Sequence, residues 1–367
     1  MENFKRSSAS FLRTLKPVRP SESAVQRVAS RPLVSVVMPV RNEADFIEES
    51  LGAVLAQNYP AELMEVLVAD GMSTDGTREA VQRLSRNPRG IPVTLVDNPG
   101  RVVPTGLNLV LGRSRGDVVV RVDGHCRIAP DYVERCVAHL QESGVDGVGG
   151  LIRTVARTPV GHAIAAAMSS PFGVGPSSFR TMKEGTRLSD TVPFPAYTRA
   201  TLKRAGPYDE GLTRNQDDEY NYRIRKWGGR LLLASDVKAD YYSRGSLRSL
   251  WRQYFQYGFY KVAVMRKHPR QMHPRQFAPP AFALGLVGAP IAAAFSIKLA
   301  LVAALVIAAY VAAVTVMAAR ISSREGWHLF RSLVSAFPIL HVGYGLGFLA
   351  GCTQFHRFLR ARPRNEV

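Results

Sequence analysis

Apolar positions follow two alternating periods over the first 260 residues. Leu33-Val34-Ser35-Val36-Val37-Met38-Pro39 is a short β-branched run closed by proline, the mark of a strand buried on both faces. Over residues 45–57 the apolar Phe46, Ile47, Leu51, Val54 and Leu55 recur at helical spacing and predict a helix. The alternation then repeats. A strand over 64–70 ends on Asp70, a turn over 71–77 leads to a helix reaching about Ser85, and a strand follows over 91–96. A helix over 104–113 then leads to a strand over 117–123 that again ends on an aspartate. Strands alternating with helices argue for a parallel sheet covered by helices on both faces. In such sheets ligands bind beyond the carboxyl ends of the strands, where Asn42, Asp70 and Asp123 fall.

After a further strand over 147–153 the pattern loosens. Residues 171–190 are rich in Gly, Ser, Pro and Arg and read as a long loop of the functional or disordered kind. Residues 192–202 and Gly206-Pro207-Tyr208-Asp209-Glu210 bring the chain to Arg214-Asn215-Gln216-Asp217-Asp218-Glu219-Tyr220-Asn221-Tyr222-Arg223. Three consecutive carboxylates repel and raise one another's pKa, and a carboxylate so held suits general-base chemistry. The same run also suits a helix start, where acidic residues favour the positive end of the dipole. A helix through Arg225 and a strand over 230–234 follow, so a catalytic-type domain is expected over 32–260, behind a basic arm over 1–31 that has no signal-peptide-like apolar run.

Beyond that domain the polar pattern stops. Lys261, Arg266, Lys267, Arg270 and Arg275 form a basic belt over 261–276, and from Phe277 to Ala319 the only charge is Lys298. A single helix over that stretch would be roughly 64 Å long at 1.5 Å per residue, about twice a hydrocarbon core of roughly 30 Å. Two membrane segments, over 279–297 and 299–319, are therefore expected, with a further apolar segment over 333–351 inside a membrane region of 277–354 and a basic tail over 355–367. Three crossings would place that tail opposite the belt, against the tendency of basic flanks to stay inside. Two crossings with one re-entrant or surface-lying segment keep both on one side, and this is the expected arrangement.

The charge balance, 48 Lys+Arg against 29 Asp+Glu for a net charge of +19, points to an anionic partner. The basic residues cluster beside apolar runs, which favours a membrane surface over nucleic acid. The three cysteines, Cys126, Cys136 and Cys352, have no CxxC spacing and indicate neither a disulfide framework nor a zinc site; reduced thiols on the cytoplasmic side are expected. Asn42-Glu43 and Asp70-Gly71 are polar groups at adjacent strand ends, suited to reading a base and a ribose. Asp123 and His125, two residues apart, can bind a divalent cation that neutralises a diphosphate. Neither GxGxxG nor GxxxxGK[ST] follows the first strand, so dinucleotide and P-loop readings lose support.

The order of these features, from Val34-Ser35-Val36-Val37-Met38-Pro39-Val40-Arg41-Asn42-Glu43 through Asp70-Gly71-Met72-Ser73-Thr74-Asp75-Gly76-Thr77, Asn108 and Asp123-Gly124-His125 to Gln216-Asp217-Asp218-Glu219, resembles the family 2 glycosyltransferases of GT-A fold. Ser169-Ser170-Pro171-Phe172-Gly173-Val174-Gly175, Asp190-Thr191-Val192-Pro193-Phe194, residues 253–261 and residues 341–348 are similar to the membrane-bound succinoglycan-type exopolysaccharide glucosyltransferases.

That resemblance implies a Rossmann-like, mostly parallel GT-A domain followed by membrane helices. It implies inverting transfer of a sugar, glucose in the succinoglycan-type enzymes, from a UDP-sugar to a lipid-linked (polyprenyl diphosphate) saccharide in the cytoplasmic membrane, with the catalytic domain facing the cytoplasm. Partners in a polysaccharide-synthesis complex are implied, and no nucleic acid. Pro39, Val40, Arg41, Asn42, Glu43, Asp70, Gly71, Asp75, Asn108, Asp123 and Gly124 would bind the nucleotide sugar, with Asp70 accepting from the uracil ring; Asp123 and His125 would hold Mg²⁺ or Mn²⁺. Asp217 falls at the family's base position, with Asp218 as the other candidate and Glu219 and Arg223 as support. Gln216 stands where the family usually has Glu, and His125 where many members have an aspartate. Gln253, Gln256 and Tyr257 fall on the acceptor side but match the processive Gln-x-x-Arg-Trp motif only in part, which favours addition of a single sugar. Arg252, Lys261 or Arg266 could meet a lipid diphosphate. A sugar-nucleotide-binding membrane subunit without catalysis is the alternative reading.

Overall fold

A computed structural model describes residues 31–175, 178–182 and 184–358. The expected basic arm, Arg31 apart, and the tail beyond residue 358 lie outside the described residues. In chain order the elements are β1 (Val34–Val40), α1 (Ile47–Leu55), β2 (Met64–Asp70), α2 (Thr77–Leu84), β3 (Val93–Asp97), α3 (Val103–Arg113), β4 (Val118–Arg121), β5 (Cys126–Ile128), α4 (Tyr132–Ser143), β6 (Gly147–Val155), α5 (Pro159–Met168), α6 (Pro171–Val174), α7 (Ser178–Thr181), β7 (Thr186–Leu188), β8 (Ala196–Thr198), α8 (Arg199–Ala205), α9 (Gln216–Lys226), β9 (Leu231–Tyr242), α10 (Leu247–Lys267), α11 (Ala278–Phe295), α12 (Ile297–Glu325) and α13 (Phe330–Phe358).

One sheet runs in the order β3-β2-β1-β4-β8-β6-β9-β5, with β7 on β9. Its first half, β3 to β4, is parallel, as the alternating pattern predicts. β8 then pairs antiparallel to both β4 and β6, so the whole sheet is mixed. Side-chain alternation along β1 explains the burial of both faces. Val34, Val36, Met38 and Val40 pack with Ile47 and Leu51 of α1, Ala80 and Val81 of α2, and Val133 and Val137 of α4. Val37 packs on the other face with Leu107 and Val110 of α3, Leu202 of α8, and Tyr220 and Ile224 of α9.

β1 turns towards β2 and β3 on one side and towards β4 on the other, which makes the gap between β1 and β4 the topological switch point where α/β sheets bind ligands. β4 pairs with β1 only as far as Val37↔Arg121. Pro39, which has no N–H to donate, therefore sits past the end of that ladder, where the two strands part.

A third apolar cluster joins this domain to the C-terminal helices: Ile164 and Met168 of α5 and Leu250 and Tyr254 of α10 pack with Val314 and Ala318 of α12 and Leu333 and Phe337 of α13. Three helices are long and apolar enough to cross a membrane, Pro274–Phe295, Ile297–Glu325 and Trp327–Gln354. All three cysteines are free; Cys126 and Cys136 are buried, and burial pushes their thiols up, while Cys352 is exposed.

Candidate active site

The cleft at the switch point has a volume of about 830 Å³. One end of it is formed by the loop leaving β1. Asn42 adopts a left-handed conformation (φ 53°), which Asn tolerates better than most residues, and its side chain and backbone tie this loop to the one leaving β2. The Thr74 N–H donates to Asn42 Oδ1 at 3.0 Å, the Asn42 N–H to Ser73 Oγ at 2.9 Å, and the Ala44 N–H to Asp75 Oδ2 at 3.0 Å. Desolvation opposes ionisation of Asp75, but donors from Thr77 and Ala44 outweigh it and hold the carboxyl low. Asp75 thus acts on the loop rather than facing the cleft.

Pro39, Val40, Arg41, Asn42, Glu43 and Gly71 all line the cleft, joined by Asn98 and Arg101. A Cβ on Gly71 would lie 3.0 Å from the Arg41 side chain, and one on Gly124 would lie 2.9 Å from Glu43, so both glycines permit a close approach of loops. Asp70 does not line the cleft: it is fully buried, bound to Arg78 Nη1 at 2.6 Å and to the Ser73 N–H. Asn108 is also elsewhere, with its amide bridging the Tyr208 backbone and Glu210.

Beyond β4, Asp123 and His125 line the cleft together. His125 Nδ1 is 2.8 Å from Glu43 Oε1, which fixes the ring and leaves Nε2 without a protein partner among the described residues. No third His, Cys, Asp or Glu joins them as a ligand group among the described residues. Two protein donors fit a hard cation that completes its shell with substrate phosphate oxygens and water, and do not fit an all-protein cage.

Arg121, the last residue of β4, is 6% exposed at its side chain and is the charged centre of the site. Its Nε and Nη2 bind both Asp123 oxygens at 2.9 and 3.2 Å, and its Nη1 binds Asp217 across the cleft. Burial alone would lower the Arg121 pKa; the Asp123 carboxylate more than offsets this, and the guanidinium stays charged. The sequence pattern carried a signal for this residue that was not read: a cation inside the apolar run Val118-Val119-Val120-Arg121-Val122 requires a buried partner.

α9 opens on the acidic run. Asp217 and Asp218 reach the cleft, side chains 44% and 35% exposed, while Glu219 is fully buried behind them. Asp218 is bound by Lys261 of α10. Glu219 takes Arg223 at 2.7 and 3.1 Å, Lys267 at 3.1 Å and His268 Nε2 at 3.0 Å. Arg223 also donates to the carbonyls of Ala205 and Pro207, so the Glu219–Arg223 pair braces α9. Lys261 is therefore committed to α9. Gln216 lines the cleft with its Oε1 buried and unpartnered.

The third wall comes from α10 and β9. Asn215 Nδ2 donates to the Tyr257 carbonyl at 2.9 Å and Arg214 Nε to Gln256 Oε1 at 3.0 Å, which ties the entry of α9 to α10. Gln253 Nε2 donates to the hydroxyls of Tyr257 and Tyr241 at 3.0 and 3.4 Å. Tyr241, Arg244 and Arg180 line this wall as well and were not anticipated, since Arg180 lies in the stretch read as a long loop, Tyr241 in a strand longer than its apolar run, and Arg244 just beyond that strand.

Known proteins share this fold and this family. A mannosyltransferase from Pyrobaculum calidifontis, solved with GDP-Man and Mn²⁺, superposes with a TM-score of 0.58 at 22% identity over 95% of this chain and 94% of that one, which makes the fold GT-A. A dolichyl-phosphate-linked glycan glucuronosyltransferase of Methanococcus voltae is 27% identical over 64% of this chain and 74% of its own. The succinoglycan biosynthesis protein ExoA of Rhizobium meliloti is 33% identical over 236 residues, 64% of this chain and 70% of its own. The glycosyl transferase family 2 model matches residues 35–200, which include the loops after β1 and β2, Arg121, Asp123 and His125. With a relative of that identity covered over 70% of its length, the chain belongs to glycosyl transferase family 2.

Proposed function

We propose that this chain transfers a sugar, with inversion, from a UDP-sugar to a lipid-linked saccharide at the cytoplasmic face of the cytoplasmic membrane, in the synthesis of an exopolysaccharide or another surface glycan. The observation that carries the reading is the placement of Asp217 across one cleft from Asp123 and His125, with Arg121 joining the two sides. Inversion requires a base on the face of the sugar opposite the leaving group. The Asp217 carboxylate takes the proton of the acceptor hydroxyl while that oxygen forms its bond to the anomeric carbon; the bond to the phosphate oxygen breaks and UDP leaves with its electron pair. No acid is needed for a diphosphate leaving group, unlike the two-carboxylate glycosidases.

Asp123 and His125 are the residues that would hold Mg²⁺ or Mn²⁺. When bound, the cation supplies charge neutralisation to the departing diphosphate. The loop at Pro39–Glu43 and Gly71 forms the base and ribose end, with Asp70 and Asp75 holding that loop from behind. Glucose as the donor sugar rests on the resemblance to the succinoglycan-type glucosyltransferases, and a lipid-linked acceptor is drawn from the dolichyl-linked relative and from the apolar helices at the C terminus.

Asp217→Asn should lower transfer by about 10²–10⁴-fold while UDP still binds. Membranes supplied with UDP-glucose and lipid-linked saccharide, assayed for product and for its anomeric configuration, check both points. Wild-type turnover in that variant would remove Asp217 from the role, and a product retaining the donor's configuration would remove inversion.

A further inference from the structure

On the β9 side of the cleft, Arg180 and Arg244 stand without a carboxylate among the described residues. Arg180 donates to Thr154 Oγ1 and lies over the rings of Phe179 and Tyr241, 5.4 and 5.9 Å from their centroids. Arg244, on the chain leaving β9, makes no hydrogen bond or ion pair among the described residues. Arg180 lies over the Tyr241 ring and Arg244 follows Tyr241 by three residues, and all three line the cleft, so the two arginines share its β9 side. At the centre of the site the cations are matched by carboxylates, Arg121 by Asp123 and Asp217 and Lys261 by Asp218, and Arg214 donates to Gln256 Oε1. Two unmatched like charges in one concavity raise the local potential and favour an anion that both can bind through charge-assisted hydrogen bonds.

The nucleotide end has its own unmatched arginines, Arg41 and Arg101, on the loops after β1 and β3. Sheet order places β9 on the far side of β4, β8 and β6 from them, so the Arg180–Arg244 pair is a second cationic station. Its surroundings are apolar in one direction. Met168 and Tyr254 line the cleft beside it and belong to the same buried cluster as Val314 and Ala318 of α12 and Leu333 of α13. The wall beside the two arginines is thus joined through packed apolar side chains to the helices fit to cross a membrane.

We propose that Arg180 and Arg244 bind the phosphate or diphosphate that joins the acceptor saccharide to its lipid, and so fix which end of the acceptor enters the cleft. This rests on the reading of the chain as a transferase to a lipid-linked acceptor. It takes that part from Lys261, which is already bound by Asp218.

The test uses the full chain in neutral detergent, with binding of farnesyl diphosphate, farnesol and UDP measured separately. Replacing Arg180→Gln together with Arg244→Gln should weaken farnesyl diphosphate by about tenfold or more and leave UDP affinity unchanged, which also shows that the variant is folded. Arg244→Lys, keeping the charge but losing the fork, should recover part of the loss. Three results would each overturn the proposal: unaltered farnesyl diphosphate affinity in the double variant, an equal loss for UDP, or displacement of farnesyl diphosphate from the wild type by phosphatidylglycerol micelles. Binding is read without turnover. If the transferase reading were the one at fault, no UDP-sugar would release UDP, yet farnesyl diphosphate affinity would still depend on both arginines.

Discussion

Arg121 sets the geometry of the reacting groups at the scale of a single residue. Its planar fork meets Asp123 with two nitrogens and Asp217 with the third, so the carboxylate proposed to serve the diphosphate and the carboxylate proposed as base are held at one separation by one rigid group. Lysine carries the same charge but presents a single point and cannot span both partners. Arg121→Lys should therefore lower kcat by about 10²-fold, the scale of a misplacement of roughly 1 Å, with a smaller change in KM for the nucleotide sugar. Steady-state kinetics on both substrates check this, and a kcat equal to wild type would show that the bridge is not used in turnover. Asp70 gives the opposite lesson. As a strand-end aspartate it resembles a ligand in sequence, and its place behind the loop could not be read because its partner Arg78 comes from the following helix.

At the scale of elements, the acidic helix α9 is clamped to α10. Lys261 holds Asp218, Lys267 and His268 hold Glu219, and Gln271 Nε2 donates to the Asp218 carbonyl. Burial would raise the Glu219 carboxyl, but Arg223, His268 and Lys267 outweigh it and hold it below its ordinary value of 4.5. A carboxyl lowered on folding contributes stability that is fully present above the unfolded value and is lost as pH falls through the folded one. Glu219→Gln should therefore cost about 2–3 kcal/mol near neutral pH, and the gap to wild type should narrow as pH drops below 4.5. Thermal unfolding of both proteins across pH 3–8, values roughly bracketing the carboxyl range, tests this; a gap independent of pH would place the effect in packing instead. The strands β1 to β4 were legible because each is a β-branched run long enough to show its period. β5, β7 and β8 have three residues each, too few for any period, and β8 makes the sheet mixed. α4 did carry a signal, Tyr132, Val133, Cys136, Val137 and Leu140 at helical spacing, while β9 extends past its apolar run because three extra residues bulge out between its pairings with Gly150 and Leu151.

At the scale of the whole molecule, the question is how three apolar helices attach to a domain that works in water. α11 and α12 expose their apolar side chains, as lipid-facing helices do: within the membrane-length helix Pro274–Phe295, which contains α11, 11% of the most apolar window is buried, and within Ile297–Glu325, 6%; α13 differs, with 44% covered in Trp327–Gln354. α13 lies along α10 in close contact. A Cβ on Gly347 would fall 2.0 Å from the Phe255 carbonyl oxygen, one on Gly258 2.0 Å from that of Tyr344, and one on Gly351 2.7 Å from that of Phe259. Small residues permit such backbone approach, and on α13 they run as far as Gly351. The facing stretch of α10 carries Gln253, Gln256 and Tyr257 in the cleft wall and Lys261 on Asp218, so it borders water. A helix packed side by side with it cannot pass through the hydrocarbon along its whole length without taking those groups with it. α13 is therefore expected to stay on the domain's side, re-entrant or lying in the interface, with α11 and α12 as the two crossings. Cys352, the one exposed cysteine, reports on this without any engineered residue, since Cys126 and Cys136 are buried. A membrane-impermeant maleimide should label Cys352 from the side on which added UDP-sugar is used, in sealed vesicles of that orientation and not in the inverted ones. Labelling only in the inverted vesicles would mean that α13 crosses, and the packing along α10 would then have to break when the protein enters the bilayer.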